Sequence, residues 1–295
     1  MERSKSAGQL IWLSMRPRHW VKNILIFVPL VFARDVTHFA PFVKALIAFI
    51  IFCGISGAGY LLNDVIDREG DRLHKIKANR PIAAGQLAIR TALRASLLIF
   101  VISLALSFVL GRWFGWAALA FTLVFVAYSL VLKNVVIVDL FTVAAGYVLR
   151  VVAGAVVISV ALSNWLLITA MLLSLFLALS KRSVEIRVLQ EDAQSHRKTL
   201  AEYNLYLLDQ MTAVITSALL VAYTLYTRSP ETMQKFHTAK LVYTVPFVLY
   251  GIFRYLYLVH IREGYHTLER VLVTDKPMII NLGLYCLAVL AILYL

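Results

Sequence analysis

The sequence has few acidic residues and almost no cysteine. Aspartate and glutamate together number 16 against 29 lysines and arginines, which gives a formal net charge of +13. Such a charge is typical of proteins that bind nucleic acid or anionic lipid, or of membrane proteins with basic cytoplasmic loops. The two cysteines, Cys53 and Cys286, lie in apolar stretches without CxxC or CxxH spacing. The sequence therefore predicts neither a zinc site nor a disulfide framework.

Linkers are also missing from the chain. No stretch rich in glycine, serine and proline divides it, and it contains no low-complexity segment. We therefore expect residues 1–295 to form a single domain. The segment Met1–Gln9 is polar and has no hydrophobic stretch ending at a small-residue cleavage site, so we expect no removable signal peptide.

Apolar residues, in contrast, are abundant. They make up 61% of the chain, more than the roughly 45–50% of soluble domains, and the mean hydropathy is +0.79. We predict an all-α, polytopic membrane protein with about nine transmembrane helices. A shorter run, Ile24–Ala33, crosses only if its helix extends from Trp20 to His38. The other runs are long enough for about 30 Å of hydrocarbon and occupy residues 41–62, 92–110, 114–132, 136–158, 164–180, 209–227, 239–258 and 278–295.

The lysines and arginines indicate the orientation, because cytoplasmic loops of membrane proteins carry an excess of them. With nine helices and a cytoplasmic N-terminus, 21 of the 29 fall in cytoplasmic segments. We predict a multi-pass protein of the cell inner (plasma) membrane whose N-terminus and long polar loops face the cytoplasm. The membrane accounts for the positive charge, so we expect no nucleic-acid partner. The sequence leaves homo-oligomerisation open.

Four carboxylates and an amide follow the first long apolar run, in the segment Asn63–Asp71, called the acidic segment below. If it is helical, the i, i+4, i+8 spacing places Asn63, Asp67 and Asp71 on one face, with Asp64 beside them. Oxygen ligands of this kind bind Mg²⁺, which commonly also holds a substrate's phosphates. We predict a Mg²⁺ site formed by these four residues. The alternative is a solvated acidic helix end.

The residues that follow the acidic segment are basic: Arg72, His74, Lys75, Lys77 and Arg80. Cations of this kind bind phosphate oxygens. Acidic residues for a metal, followed within a few turns by cations for phosphate, are the outline of a diphosphate site. We therefore predict that Asn63, Lys75 and Arg80 bind substrate.

Charged residues at membrane depth are costly and usually line a cavity. Arg150 follows Asp139 by eleven residues, close to three helical turns, so we expect them on one face of a helix. We predict that both line a polar cavity with the acidic segment; the alternatives are an ion pair or an arginine that extends to the membrane surface. Tyr128 and Lys133 precede Asp139 in sequence. We predict that they bind substrate, with a lysine that only marks topology as the alternative.

Lys181 and Arg182 begin the third polar loop, at its membrane end. One interpretation is a solvated face with i, i+4 pairs such as Lys181 with Glu185. The other is that Lys181 and Arg182 bind substrate, which is the role we predict for them.

Two motifs are similar to those of a known family. The pattern Asn-Asp-x-x-Asp-x-x-x-Asp at residues 63–71 is followed by Asn-Arg-Pro-Ile-Ala-Ala-Gly at residues 79–85. In a chain of nine predicted helices, they resemble the UbiA superfamily of intramembrane prenyltransferases. Within it, residues 16–23, 132–139 and 147–150 resemble the branch of decaprenyl-phosphate phosphoribosyltransferases. The resemblance covers nearly the whole chain and implies a helical bundle around a polar cavity that opens to the cytoplasmic side.

The resemblance implies Mg²⁺-dependent transfer of 5-phosphoribose from 5-phosphoribosyl 1-diphosphate to a polyprenyl phosphate. Diphosphate would be released, and the product would serve the synthesis of arabinose donors for the cell envelope. Asp64, Asp67 and Asp71 would be the catalytic residues that hold the metal and diphosphate. The substrate phosphates would be bound by cations from several parts of the chain: Lys22, Arg80, Lys133, Arg150, Lys181 and Arg182.

The charges favour this branch over the aromatic polyprenyltransferases of quinone or haem biosynthesis. Those enzymes typically carry a second acidic cluster, Asp-x-x-x-Asp, whereas this chain offers only Asp139 in that region, between Lys133 and Arg150. A phosphoribosyl donor and a lipid phosphate together bring three anionic groups, which cations suit better than further acids. The aromatic enzyme is the alternative. A transporter or lipid flippase that uses Arg150 and Asp139 as its pathway is a further one.

Overall fold

The structure is a computed structural model that describes residues 5–33, 38–73, 77–188, 202–261, 271–272 and 274–294. Within these ranges all regular elements are helices, which confirms the all-α prediction. The α-helices are α1 (Ala7–Ser14), α2 (Val28–Phe32), α3 (Phe39–Ile66), α4 (Arg68–Leu73), α5 (Ile89–Leu110), α6 (Arg112–Leu130), α7 (Val138–Val157), α8 (Asn164–Val188), α9 (Leu205–Arg228), α10 (Pro230–Phe236), α11 (Val245–His260) and α12 (Lys276–Tyr294).

Eight helices in the described ranges are long and apolar enough to cross a membrane. They are α3, α5, α6, α7, α8, α9, α11 with the 3-10 turn Lys240–Thr244 before it, and α12. Each coincides with one of the eight long apolar runs predicted from the sequence. The chain is therefore a multi-pass membrane protein, while its orientation in the membrane stays a prediction.

The segment predicted as the first of nine crossings is not one continuous α-helix. A 3-10 helix, Pro17–Phe27, is followed directly by the short helix α2. A 3-10 helix rises about 2.0 Å per residue and an α-helix about 1.5 Å, so together the two could extend over about 30 Å. A ninth crossing thus stays a prediction. Residues 34–37, on which its end depends, lie outside the described ranges.

The chain groups into two compact units. The first comprises Met1–Thr142 with Leu149–Ala161, and the second comprises Val143–Val148 with Leu162–Leu295. The prediction of a single domain is not tested by this grouping. The acidic segment and most of the predicted site residues belong to the first unit.

The core of the first unit is formed by aromatic and small residues. The Phe52 ring, which is fully buried, lies 5.8 Å from that of Phe114 and 5.0 Å from that of Phe121. Gly154 of α7 packs against the 3-10 helix so closely that a Cβ atom there would collide with the Ile26 carbonyl group. Glycine therefore lets two helices of this unit approach backbone to backbone.

The second unit has a core of its own. Phe176 and Tyr255 meet edge to face, with ring centroids 5.1 Å apart. Arg254 donates two hydrogen bonds to the Asp275 carboxylate, at 3.0 and 2.9 Å, and Asp275 accepts from the Met278 amide at 3.0 Å. The bidentate pair thereby joins α11 to the N-terminal end of α12.

Candidate functional site

The acidic segment lies where α3 gives way to α4. The Asp67 amide donates to the Asn63 carbonyl at 2.9 Å, and the Asp71 amide donates to the Asp67 carbonyl at 2.8 Å. The helical path is therefore nearly continuous, and Asn63 Nδ2 reaches Asp67 Oδ2 at 2.9 Å across one turn. Asp64 and Asp71 are only 2% and 4% exposed. The segment is therefore not a solvated helix end, because two of its carboxylates are buried.

Asp64 and Asp71 are joined by one arginine. Arg80 Nη1 lies 3.2 Å from Asp64 Oδ1 and 2.5 Å from Asp71 Oδ2. Arg16 Nη2 forms a second ion pair with the same Asp64 oxygen. Buried carboxylates require such partners, since an uncompensated charge away from water is strongly destabilising.

The loop that carries Arg80 is fixed on both sides of it. Ile82 is fully buried in an apolar cluster with Leu61 of α3. Arg72 of α4 donates from Nε to the Ala83 carbonyl at 3.0 Å. These contacts dock the loop against α3 and α4, so the Arg80 guanidinium is held over the two carboxylates.

The third carboxylate, Asp67, pairs with Lys133. Lys133 is 5% exposed and lies in the 3-10 turn Leu132–Asn134 between α6 and α7. It is followed by a tight turn centred on Ile137, where φ is 69° and the Val138 amide donates to the Val136 carbonyl at 2.8 Å. A β-branched residue with positive φ is strained, and such strain is concentrated at functional sites. Lys133 is therefore a buried, paired lysine, and its part in substrate binding stays a prediction.

Arg150 of α7 is enclosed by protein. It is 6% exposed, its Nε donates to Asn23 Oδ1 at 2.7 Å, and its guanidinium lies 4.5 Å from the centre of the Phe121 ring. Asn23 is fully buried, and its amide nitrogen lies 3.3 Å from Cys53 Sγ. The arginine therefore does not extend to the membrane surface. Its partner in the 3-10 helix was not singled out from the sequence.

Asp139 shares α7 with Arg150 and is fully buried. The two residues are eleven positions apart, so about 16 Å of helix axis separates them. The predicted common face is compatible with this placement, but a direct ion pair between them is not. Asp139 lies in the first turn of α7, where a negative charge is favoured by the helix dipole.

Arg16 is the principal site residue that the sequence analysis did not assign. Its backbone is left-handed, with φ 52° and ψ 65°, and its guanidinium carbon lies 5.1 Å from the centre of the Tyr60 ring. A signal was present in the sequence, because Pro17 disfavours the right-handed helical conformation for the residue before it. An arginine directly before a proline and next to an apolar run therefore indicates a break in the helix, at which the side chain can have a functional role.

The remaining predicted substrate-binding residues lie in several parts of the chain, and their role stays a prediction. Lys22 and Tyr128 are half-buried in the 3-10 helix and α6. Lys75 lies outside the described residues. Lys181 and Arg182 belong to the second unit, where Lys181 is exposed and Arg182 pairs with Glu185 at 2.6 Å. Glu185 therefore pairs with an arginine three residues before it, and its i, i+4 pairing with Lys181 stays one interpretation.

Two of the predicted metal ligands converge. Because both contact Arg80 Nη1, Asp64 Oδ1 and Asp71 Oδ2 lie within about 6 Å of each other, compared with ~4 Å between opposed ligands of one Mg²⁺ ion. Mg²⁺ is usually bound by one or two carboxylates together with phosphate oxygens and water, so this pair fits that ion. In the described part of the chain, no group of three His, Cys, Asp or Glu side chains is arranged to hold a metal. A metal at this pair would therefore need further oxygen ligands, such as those of a phosphate.

These features define a class of protein. It is a multi-pass helical membrane protein that carries paired carboxylates and cations at the end of one long helix. The chain belongs to the UbiA prenyltransferase family, whose sequence model matches residues 24–293. It is therefore a membrane-embedded member of this family.

Individual relatives agree with this assignment. The decaprenyl-phosphate phosphoribosyltransferase of Corynebacterium glutamicum is 33% identical over 219 residues, which cover 72% of this chain and 65%, a little under two thirds, of the relative. The enzyme of the same name from Mycobacterium tuberculosis is 30% identical over 250 residues, 81% of each chain. A solved UbiA homologue from Archaeoglobus fulgidus bound to DMAPP and Mg²⁺ has a TM-score of 0.74 at 16% identity, covering 96% of this chain and 98% of that one. The structural likeness confirms the UbiA fold.

Proposed function

We propose that the protein transfers 5-phosphoribose from 5-phosphoribosyl 1-diphosphate to a polyprenyl phosphate and releases diphosphate. The observation that carries the proposal is the pairing of Asp64, Asp67 and Asp71 with cations from separate segments of the first unit. Carboxylates suit a divalent metal, and the cations beside them suit phosphate oxygens. The names of the relatives from C. glutamicum and M. tuberculosis support the same reaction.

The acidic segment would hold the leaving diphosphate. Asp64 and Asp71, with Asp67 and Asn63 on the adjoining turn, would be the ligands of Mg²⁺. When bound there, Mg²⁺ would supply charge neutralisation for the leaving diphosphate. Arg80 lies between two of these carboxylates, where its fork of donors can contact a phosphate oxygen as well.

The remaining phosphates require further cations. Lys133 and Arg150 are buried in the first unit and would bind the donor's 5-phosphate, with Tyr128 and Asp139 on the neighbouring parts of α6 and α7. Cations of this kind suit phosphate oxygens. A prenyl donor has one diphosphate, whereas a phosphoribosyl donor brings a second phosphate. Lys22, Lys75, Lys181 and Arg182 are the other proposed substrate-binding cations.

The proposed reaction is a displacement at the anomeric carbon of the ribose. Displacement breaks the bond between the anomeric carbon and the diphosphate oxygen and forms a bond from that carbon to an oxygen of the lipid phosphate. Because the attacking phosphate is already anionic, no strong general base is needed. The side chains would therefore act by positioning the two anions and by compensating their charge.

The test is diphosphate release by purified protein with Mg²⁺. Phosphoribosyl diphosphate with a polyprenyl phosphate is expected to release diphosphate, and either substrate alone is not. A polyprenyl diphosphate with 4-hydroxybenzoate or a dihydroxynaphthoate is expected to release none. Release in the aromatic reaction alone would favour the aromatic polyprenyltransferase, and the Asp64→Asn variant provides the background in every arm.

A further inference from the structure

Arg16 and Arg80, which pair with carboxylates of the acidic segment, contact the oxygen atoms that a metal would need. Asp64 Oδ1 accepts from both Arg16 and Arg80, and Arg80 also reaches Asp71 Oδ2. One carboxylate oxygen that is shared by two guanidinium groups has little remaining capacity for a divalent ion. Metal binding and these ion pairs therefore compete for the same oxygens.

The exposure of the partners is unequal. The Asp64 side chain is 2% exposed, whereas those of Arg16 and Arg80 are 21% and 24% exposed. The Asp64 carboxylate is therefore more deeply buried, and the two guanidinium groups lie between it and the solvent-accessible surface. A metal that approaches Asp64 meets positive charge first.

We propose that Arg16 and Arg80 exchange partners when the substrate binds: the carboxylates pass to the metal and the two arginines pass to the diphosphate. This proposal rests on the proposed function only in requiring a metal diphosphate as ligand. It assigns diphosphate binding to Arg16, which the sequence motifs did not. Metal and diphosphate then bind interdependently, and neither binds well alone.

Charge compensation is the physical reason. In the exchange each arginine moves from a carboxylate to a phosphate, and each carboxylate moves from an arginine to the metal, so no buried charge loses its partner. A metal that binds alone displaces the arginines and leaves them beside a divalent cation. Diphosphate that binds alone draws the arginines away and leaves the carboxylates facing another anion.

The backbone of Arg16 is consistent with a side chain held for this purpose. A left-handed conformation at a residue other than glycine persists only where its surroundings determine it. Here the preceding residue, Met15, packs against Gly57, where a Cβ atom would lie 2.6 Å from Met15 Cε. Trp20 Nε1 also donates to the Met15 carbonyl at 3.0 Å. The base of the Arg16 side chain is therefore fixed, while its guanidinium can turn between two anions.

The test measures two affinities in purified protein without turnover. Mn²⁺ binding alone is followed by the electron paramagnetic resonance of the unbound ion, and inorganic diphosphate binding is followed by calorimetry at a fixed excess of Mg²⁺. The variants are Arg16→Gln and Arg80→Gln. Arg18→Gln is the matched control, because Arg18 is an exposed arginine two positions from Arg16. Asp64→Asn, which removes a proposed ligand, identifies the Mn²⁺ that binds at this site.

We expect opposite changes in the two affinities. Arg16→Gln should bind Mn²⁺ alone about tenfold more tightly and Mg²⁺-diphosphate about tenfold more weakly, the size of one hydrogen bond to a charged group. Arg80→Gln should likewise strengthen Mn²⁺ binding and weaken Mg²⁺-diphosphate binding. Arg18→Gln should match the unaltered protein in both affinities. Unchanged Mn²⁺ affinity in both glutamine variants, or weaker binding of both ligands by well-folded variants, would overturn the exchange. Neither readout uses ribose or lipid, so failure of the proposed reaction would leave this test intact.

Discussion

Replacing Gly154 with alanine should disturb the site from outside it. A Cβ atom at Gly154 would collide with the Ile26 carbonyl oxygen and lie 2.8 and 2.9 Å from the Ile26 carbonyl carbon and Cα. These are backbone atoms, which cannot rotate out of the way as a side chain can. The 3-10 helix must therefore move away from α7, and it carries Asn23, the hydrogen-bond acceptor of Arg150.

The size of the effect follows from the distances. Ordinary carbon contacts are about 3.5–4.0 Å, so relief of the collision requires a shift of about 1 Å. Such a shift lengthens the 2.7 Å bond from Arg150 to Asn23 to about 3.7 Å, beyond hydrogen-bond range. A hydrogen bond to a charged group contributes about 1.5–3 kcal/mol. Because Arg150 would lose its orientation, we expect the KM for phosphoribosyl diphosphate to rise about tenfold or more.

Stability should change much less. Overpacking costs about 1–3 kcal/mol, but alanine in a helix gains about 1 kcal/mol over glycine, so the net loss is about 0–2 kcal/mol. The assay combines thermal unfolding with donor kinetics for Gly154→Ala. Gly283→Ala is the matched control, since nothing lies within 4 Å of a Cβ atom at that position of α12. Unaltered KM and unfolding temperature in Gly154→Ala would refute the close-approach argument.

Two further predictions concern charged residues of the site. Asp71→Asn keeps the shape of the side chain but removes the charge opposite Arg80. Turnover should therefore fall about a hundredfold, while the protein elutes and unfolds as before. Normal Mg²⁺-dependent turnover would contradict the metal assignment. Arg150→Lys keeps the charge but lacks the planar fork that bonds Asn23 and can grip an anion at the same time. We expect kcat/KM to fall about tenfold, with little change in stability. Wild-type kinetics in this variant would indicate that Arg150 has only a structural role.

The membrane helices could be predicted from the sequence because length and apolarity are local properties. All eight long runs form helices at the expected places. The 3-10 helix Pro17–Phe27 could not be predicted in the same way. Whether such a segment winds with three or 3.6 residues per turn is decided by its packing, here by the backbone contact between Ile26 and Gly154, and that contact joins residues far apart in sequence.

The acidic segment could also be predicted, because its spacing is local and the helix carries it across the α3–α4 junction. Arg80 could be predicted as a site residue for the same reason, because it is close to the acidic segment in sequence. Arg16 was not, because 48 positions separate it from Asp64 and its left-handed backbone depends on the tertiary fold. Asn23 was missed since a buried amide gives no sequence signal of its partner, Arg150, which lies 127 positions away.

The identity of the lipid product tests the central claim most directly. Purified protein would be incubated with Mg²⁺, phosphoribosyl diphosphate and a polyprenyl phosphate, and the lipid extract would be examined by mass spectrometry, with Asp64→Asn as the blank. The account predicts a new lipid whose mass is that of the polyprenyl phosphate joined to 5-phosphoribose through loss of diphosphate, absent from the blank. An unchanged lipid phosphate in this reaction, with a prenylated aromatic product when the alternative substrates are supplied, would contradict it.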